Sequence, residues 1–306
     1  MKNRRFVTVF ILLLLLFMSS VSVAPSFAGP KANVFVSILP QKYFVEKIGG
    51  NLVDVSVMVA PGASPSTYEP RPSQMVALSR ASLYFAIGVP FEKSWLYKIA
   101  GSTPHLKIIY TEEGIEKIPM KVHAHHIKGQ YVKDSHVENR HDHAILDPHI
   151  WLSPDLVKIQ AKNILDGLCS FDRNNKKNYE INYNNFVKQI DNLDSEIEKI
   201  FSDMKERKFM VFHPSWGYFA KEYGLIQIPV EVEGKEPKIA ELRHLTEFVK
   251  NNHIKTIFVQ PQFSEKSAKV IAKAISGKTV YLDPLARLWA DNLIEVAKKI
   301  RTASVH

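Results

Sequence analysis

The chain has 306 residues, of which 45% are apolar, with one Cys and a formal net charge of +9. This composition excludes a disordered, a collagen-like and a disulfide-stapled chain, and the length predicts two compact units of about 100 to 200 residues each. Because Cys169 stands alone, neither an internal disulfide nor a multi-thiolate zinc site can form. Any metal site must therefore use His, Asp and Glu.

Residues 1–28 have the three parts of a secretory signal. Basic residues at positions 2, 4 and 5 precede an apolar run, and the small-x-small pattern Ser26-Phe27-Ala28 fits a cleavage site. The apolar run is shorter than the roughly 20 residues of a membrane anchor, and no Cys near the cleavage point offers a site for lipid attachment. We therefore expect a protein that is exported through a cleavable signal peptide and is not a lipoprotein.

The basic charge does not indicate a nucleic-acid partner. Three of the basic residues leave with the signal peptide, and the others form no stripe interleaved with aromatic residues. We expect no binding to DNA or other nucleic acid.

Two series of short β-rich runs that alternate with helical patterns predict an α/β fold. Each series predicts one lobe with a mostly parallel four-stranded sheet flanked by helices. The first series predicts strands at 34–39, 53–59, 83–88 and 106–110, with helices at 41–48 and 73–81. The second predicts strands at 208–212, 226–232, 256–260 and 279–282, with helices at 215–223, 239–251, 264–275 and 285–300.

A regular apolar seam between the two series predicts one long helix at 176–204. Its seven members, from Tyr179 to Ile200, are spaced alternately four and three residues apart. The helix should be roughly 40 Å long. A dimerising coiled coil is the alternative, but no buried polar residue sets its register. We expect a monomer with an N-terminal lobe at 29–174, a linker helix at 175–205 and a C-terminal lobe at 206–306.

One long segment, 121–146, has no periodicity and is rich in His. It holds half of the twelve His of the chain. They are His123, His125, His126, His136, His141 and His143. A loop of this length and composition favours metal capture, and the alternative is a solvated insertion without a role.

Three polar residues stand at the ends of predicted strands or in loops beside Pro and aromatic residues. His149 lies in DPHIWLSP, His213 directly follows the strand at 208–212, and Asp283 directly follows the strand at 279–282. Residues just beyond the carboxyl ends of parallel strands face the ligand crevice of an open α/β sheet. These three are therefore candidate site residues, although a single His after a strand is more often structural.

Six segments in the same order resemble the cluster A-I periplasmic proteins of ABC importers, which bind zinc or manganese. The segments are APGASPSTYEPRPSQM (60–75), DPHIWLSP (147–154), FHPSWGYFAKEYGL (212–225), EVEGKEPK (231–238), FVQPQFSEKSAKVIA (258–272) and YLDPL (281–285). The resemblance implies two α/β lobes joined by one long helix, and a transition-metal ion held between the lobes. It further implies delivery of the ion to an inner-membrane ABC permease, without enzymatic chemistry.

By this resemblance, His149, His213 and Asp283 match three metal ligands of the family. The fourth position does not match, because this chain has Ser66 where most relatives have His. A neutral hydroxyl is a poor zinc ligand. Three replacements stay open at this point: a water, Glu69 on the same loop, or a His from the 121–146 segment such as His143. We hypothesise that the segment contributes.

The ligand set favours Zn²⁺ as the transported ion. Imidazole suits zinc, whereas manganese sites favour carboxylates and water. A manganese- or iron-binding member of the same family is the alternative. Binding by imidazole should weaken as the pH falls through about 6.5, where free imidazole takes up a proton.

Two further interpretations belong to other classes of protein. Two His, one carboxylate and a water form the ligand set of zinc hydrolases, so a metallohydrolase with an open site is an alternative. The chain has no HExxH motif, and Glu231, Glu233 and Glu236 are expected to serve loop structure or to bond the ligating His. The third interpretation is an adhesin or a zinc buffer without an importer.

Overall fold

The computed structural model describes residues 31–120, 145–231, 239–252, 254–263 and 265–304. The predicted signal peptide and all six His of the 121–146 segment lie outside the described residues. Residues from Ala32 onward form one compact unit. Within the described residues, no helix is both long and apolar enough to cross a membrane.

The N-terminal half contains a parallel four-stranded sheet in the order β2-β1-β3-β4. Its strands are β1 (Ala32–Val36), β2 (Val53–Val57), β3 (Leu83–Ala86) and β4 (Lys107–Tyr110). The helices of this half are α1 (Leu39–Gly49), α2 (Pro72–Leu78), α3 (Pro90–Ser102) and α4 (Pro154–Phe171). All four residues of β3 are buried, as expected for a strand of a parallel sheet that is covered on both faces.

The C-terminal half repeats the same topology, with the order β6-β5-β7-β8 and all pairs parallel. Its strands are β5 (Lys208–Val211), β6 (Ile226–Pro229), β7 (Thr256–Val259) and β8 (Lys278–Tyr281). Its helices are α6 (Gly217–Glu222), α7 (Ile239–Asn251), α8 (Glu265–Ala274) and α9 (Trp289–Ala303). The predicted fold class, two parallel four-stranded sheets with flanking helices, is therefore confirmed.

The long helix α5 (Lys176–Phe201) joins the two halves and contacts α1, α4 and α9. The helix ends at Phe201, three residues before the predicted end. Five of the seven predicted seam residues are buried, since long apolar side chains at such intervals share one face. Tyr183 and Ile200 are only partly buried, and Phe201, which was not predicted, is buried beside them. The buried residues are Tyr179, Phe186, Ile190, Leu193, Ile197 and Phe201. The predicted domain boundaries on either side of this helix stay a prediction.

The last helix, α9, begins against the N-terminal half. The indole of Trp289 packs edge-on against Phe44 of α1, with ring centroids 5.1 Å apart, and it also contacts Tyr43 at 6.2 Å. Its Nε1 donates to the carbonyl oxygen of Trp151 at 2.6 Å. The two halves therefore share one aromatic core beside α5.

Two helices, α3 and α4, have no counterpart among the predicted elements. The start of α4 carries a clear local signal: the Ser153 hydroxyl accepts from the Leu156 amide at 3.2 Å, and Pro154 follows the cap. The predicted strands at 34–39 and 83–88 end earlier, at Val36 and Ala86. Ser37, Ile38 and Ile87, just beyond these strands, are buried although they belong to no strand. Burial at these positions therefore does not mark a strand.

A matched pair of substitutions on α5 tests the buried seam. Ile190 is fully buried and Ile181 is 50% exposed on the same helix. We expect Ile190→Ala to lower the free energy of unfolding by about 2 to 5 kcal/mol, because it leaves a cavity in the core. Ile181→Ala should change it by less than about 1 kcal/mol. Urea unfolding measures both, and equal losses would contradict the assigned packing.

Candidate metal site

The structure brings His149 and His213 together across the two halves of the molecule. His149 precedes the short 3-10 turn Ile150–Leu152, and His213 stands two residues beyond the end of β5. Their ring centroids lie 5.4 Å apart, with the ring planes at 70°. Both rings line one cavity of about 380 Å³, whose volume includes open solvent. The pair therefore faces a space that an ion can reach.

A buried carboxylate fixes each of the two imidazoles. The Nδ1 of His149 lies 2.6 Å from Oδ1 of Asp147, and the Nδ1 of His213 lies 2.7 Å from Oε2 of Glu231. An ionised carboxylate only accepts, so each Nδ1 carries the proton and donates it. The lone pair is then on Nε2 in both rings. This is the arrangement by which proteins orient His for a metal ion and raise its basicity.

Asp147 is held in place from several sides. Its amide donates to the Ile118 carbonyl oxygen at 2.8 Å, and its own carbonyl oxygen accepts from the Tyr218 hydroxyl at 2.9 Å. Gly217 leaves room for the carboxylate, because a Cβ at Gly217 would stand only 2.7 Å from Oδ2 of Asp147. Sequence reasoning did not single out Asp147. The signal was available in the DPH triplet, where an acidic residue precedes His149 by two positions.

The C-terminal sheet positions His213 through the chain beyond its neighbouring strands. Glu231 follows β6, and its amide donates to the Phe212 carbonyl oxygen at 3.0 Å, which continues the pairing of β5 with β6. Glu231 was expected to bond a ligating His, and this contact is present. Glu233 and Glu236 lie outside the described residues. The parallel topology thus aligns Glu231 with His213, because carboxyl ends of adjacent strands meet at one edge.

Gln260 and Phe263, on the loop after β7, complete the support of His213. The buried amide of Gln260 accepts from the His213 amide at 3.2 Å and donates to the His213 carbonyl oxygen at 2.7 Å. The ring of Phe263 stacks on the imidazole at 4.7 Å between centroids, with planes at 23°. Both residues lie in the motif at 258–272, but the sequence did not predict that they contact His213, because these contacts depend on which loops meet in space.

Burial lowers the pKa of His213 below its ordinary value of 6.5. Loss of hydration is the largest cause, and the nearby His149 adds to it, while the contact with Glu231 opposes the shift. The imidazole is therefore neutral at physiological pH. A neutral ring binds a metal ion without first losing a second proton.

Asp283 lies beside this cavity and is hydrogen-bonded to other groups. Its Oδ1 accepts from Nε2 of Gln262 at 3.0 Å and from the amide of Leu285 at 2.9 Å. It lines a neighbouring cavity, which shares Gln262 and Leu285 with the cavity of the His pair. In the described part of the chain, His149, His213 and Asp283 do not form a group with ligand atoms within 4.8 Å of one another. The role of Asp283 as third ligand stays a prediction.

The position predicted for the first family ligand does face the His pair. Ser66 lines their cavity together with Ser64 and Pro65, on the loop after β2. Glu69 is exposed and is not among the residues that line it. His143 and the other His of the 121–146 segment lie outside the described residues, so their part in the site stays a hypothesis. The ends of that segment do pair, since the Met120 amide donates to the Ile145 carbonyl oxygen at 2.8 Å.

A cluster of three acidic residues away from the His pair was not predicted. Carboxylate oxygens of Asp155, Asp194 and Glu222 lie within 4.8 Å of one another. Burial raises the pKa of Glu222 to about 7. Its Oε1 accepts from the Asp155 amide at 3.1 Å in the first turn of α4, so this carboxyl group serves the helix start.

Comparison with known proteins shows the family to which this chain belongs. The model of the family described as "ZnuA: Zinc-uptake complex component A periplasmic" matches residues 34–303. The chain is 28% identical over 264 residues to the high-affinity zinc uptake system protein ZnuA of Bacillus subtilis, covering 85% of this chain and 80% of that protein. It is 29% identical over 268 residues to the zinc-binding protein AdcA of Streptococcus pyogenes, covering 85% of this chain but only 52% of that protein.

One solved structure extends the likeness to three dimensions. A crystal structure of ZnuA superposes with a TM-score of 0.81 at 42% identity, covering 90% of this chain and 100% of that one.

Titration of His213 tests the electrostatics of the site. In the metal-free protein we expect its imidazole to titrate below pH 6.5, because burial disfavours the charged form. Glu231→Gln should lower this pKa further, since it removes the carboxylate that favours the imidazolium. Resonances of the ring followed by NMR between pH 4.5 and 8 measure both values. A pKa that rises in Glu231→Gln would contradict the assigned contact.

Proposed function

Because the chain belongs to the ZnuA family of periplasmic zinc-uptake components, we propose that it is a solute-binding protein that binds Zn²⁺ and delivers it to an ABC permease. One observation carries the proposal: two imidazoles from different halves of the molecule face one cavity, each with its Nδ1 bonded to a buried carboxylate. This arrangement leaves the Nε2 atom of each ring available to an ion.

The spacing of the two rings suits one tetrahedral ion. A Zn–N bond of about 2.0 to 2.1 Å places the ion roughly 3.2 Å from each ring centroid, so tetrahedral ligation puts the centroids roughly 5 Å apart. The observed separation is 5.4 Å. His149 and His213 therefore need little rearrangement to share an ion. We infer that Asp283 supplies the third donor by turning from its present partners.

The donor set favours zinc over manganese. Both nitrogen donors are imidazoles whose basicity a carboxylate increases, and nitrogen donors suit Zn²⁺ better than Mn²⁺. A manganese- or iron-binding protein of the same family is the second candidate, because by the family resemblance Ser66 stands where most relatives carry a further His. Competition between the two ions decides between them.

The contacts of the carboxylates speak against the metallohydrolase alternative. Asp147 and Glu231 are the carboxylates bonded to the two imidazoles, and each is engaged with its Nδ1. A hydrolase needs a carboxylate that is free to take a proton from the attacking water. Because Asp147 and Glu231 each hold an imidazole, neither can serve as this base. The adhesin and zinc-buffer interpretations stay open alternatives that depend on partners outside this chain.

Transport by this geometry needs no covalent step. Zn²⁺ bridges a ligand of the N-terminal half and a ligand of the C-terminal half, so binding the ion also holds the two halves at this spacing. Release requires the permease to separate the two His or to draw away one ligand loop. Export through the predicted signal peptide places this exchange in the periplasm, with the mature chain acting as a monomer.

Competitive zinc titration of the protein without residues 1–28 tests the proposal. We expect His149→Ala and His213→Ala each to weaken zinc binding about 100-fold or more, because each removes one of few nitrogen donors. His105→Ala, which removes an exposed imidazole elsewhere, should have no effect. Manganese is titrated in parallel and should bind more weakly than zinc.

Unchanged zinc affinity in both site variants would refute the proposed site. Deletion of residues 121–144 in the same titration separates the two roles proposed for the His-rich segment. Loss of the tight site indicates direct ligation, whereas loss of extra weak sites alone indicates capture.

A further inference from the structure

Gln262 lies between the cavity of the His pair and the cavity that contains Asp283. It follows Pro261 on the loop after β7, is partly buried, and lines both cavities. Asp283 lines only the second of them. Gln262 therefore borders both the cavity of the two His and the cavity of the predicted third ligand.

The amide of Gln262 is turned toward Asp283. Its Nε2 donates to Oδ1 of Asp283 at 3.0 Å, and the amide of Leu285 donates to the same oxygen at 2.9 Å. The Oε1 of Gln262 is buried and has no hydrogen-bond partner among the described residues. An unpaired buried acceptor is unfavourable, whereas a hydrogen bond to a carboxylate is stronger than one to a neutral group. The charge of Asp283 thus sets the orientation of the amide.

The cost of leaving Oε1 of Gln262 unpaired offsets part of the stability that its hydrogen bond to Asp283 provides. The net contribution of this contact to stability is therefore small. The contact suffices to give the carboxylate a partner, but it can be exchanged for a stronger one. A divalent ion on His149 and His213 would be such a partner. In the structure, the carboxylate of Asp283 bonds to Gln262 and does not line the cavity of the His pair.

We propose that Gln262 is a positioning residue that competes with the bound ion for Asp283. The proposal rests on the proposed function, since it assigns a role toward the same zinc site. The carboxylate exchanges between Gln262 with the Leu285 amide and the ion between the two His. Whenever Asp283 leaves the ion, Gln262 receives it, so the partly buried carboxylate keeps a hydrogen-bond partner. Gln262 therefore lowers the affinity for zinc and speeds its release.

A double-mutant cycle on Gln262 and Asp283 tests this role. The variants are Gln262→Met, which keeps the length of the side chain but cannot donate, Asp283→Ala, and the double variant. Zinc affinity comes from competitive titration, and the release rate from transfer to a chelator in a stopped-flow instrument. Gln189→Met is the matched control, because Gln189 is an exposed residue of α5. Thermal unfolding of each metal-free variant shows that it is folded.

We expect Gln262→Met to tighten zinc binding about 3- to 30-fold and to slow release by a similar factor, because the competing hydrogen bond is gone. In the Asp283→Ala background the same substitution should change affinity less than about twofold. A merely structural role would not produce tighter binding that depends on Asp283. Gln189→Met should leave both quantities unchanged.

Weaker or unchanged binding in Gln262→Met would overturn the proposal; weaker binding would mean that Gln262 supports the bound ion. An equal gain in the Asp283→Ala background would also overturn it. His213→Ala is measured alongside to separate this result from the fate of the proposed function. If His213→Ala binds zinc as tightly as the unmodified protein, the proposed site itself fails. If it loses zinc while Gln262→Met gains nothing, only the role of Gln262 fails.

Discussion

Two buried indole N–H groups join the chain around His149 to the loop after Asp283 and to the start of α9. Nε1 of Trp151 donates to the Pro284 carbonyl oxygen at 2.7 Å, and Nε1 of Trp289 donates to the Trp151 carbonyl oxygen at 2.6 Å. Trp151 lies two residues after His149, and Pro284 directly follows Asp283. Both indoles are almost fully buried, where an unmade hydrogen bond is costly. The segment that carries His149 is therefore hydrogen-bonded directly to the loop that carries Asp283.

Within that frame, the two carboxylates bonded to the imidazoles give the site its chemistry. Asp147 and Glu231 fix which ring nitrogen of His149 and His213 carries a proton. They come from the same two halves of the molecule as the His that they orient, so each half supplies one complete His–carboxylate unit. A site assembled from two such units can be opened by separating the halves, which is what a carrier that must release its ion requires.

The parts of this structure that sequence could predict are those with local causes. The seam of α5 follows from apolar spacing alone, and the two sheets follow from the alternation of short strands and helices. His213 was a candidate because it follows β5, and the carboxyl ends of parallel strands face the ligand crevice. His149 follows no strand, and the motif DPHIWLSP with the family resemblance singled it out. The start of α4 was not predicted, although the cap at Ser153 and the following Pro154 were a local signal for it.

Two of the supporting residues, Gln260 and Gln262, were not predictable, because their roles depend on contacts between distant loops. Gln260 holds the backbone of a residue 47 positions away, and Gln262 bonds a carboxylate 21 positions away. Nothing in the spacing of QPQF distinguishes these two amides from surface glutamines. Likewise, the pattern placed Asp283 at the end of a strand, but only the structure shows that Gln262 and Leu285 hold its carboxylate.

The most direct test of the central claim is the location of the ion itself. Anomalous diffraction at the zinc edge from crystals of the zinc-loaded protein locates it without assumptions about ligands. The account predicts a single strong peak within about 2.0 to 2.1 Å of Nε2 of both His149 and His213. A zinc ion that is bound elsewhere, with these two imidazoles unligated, would contradict it.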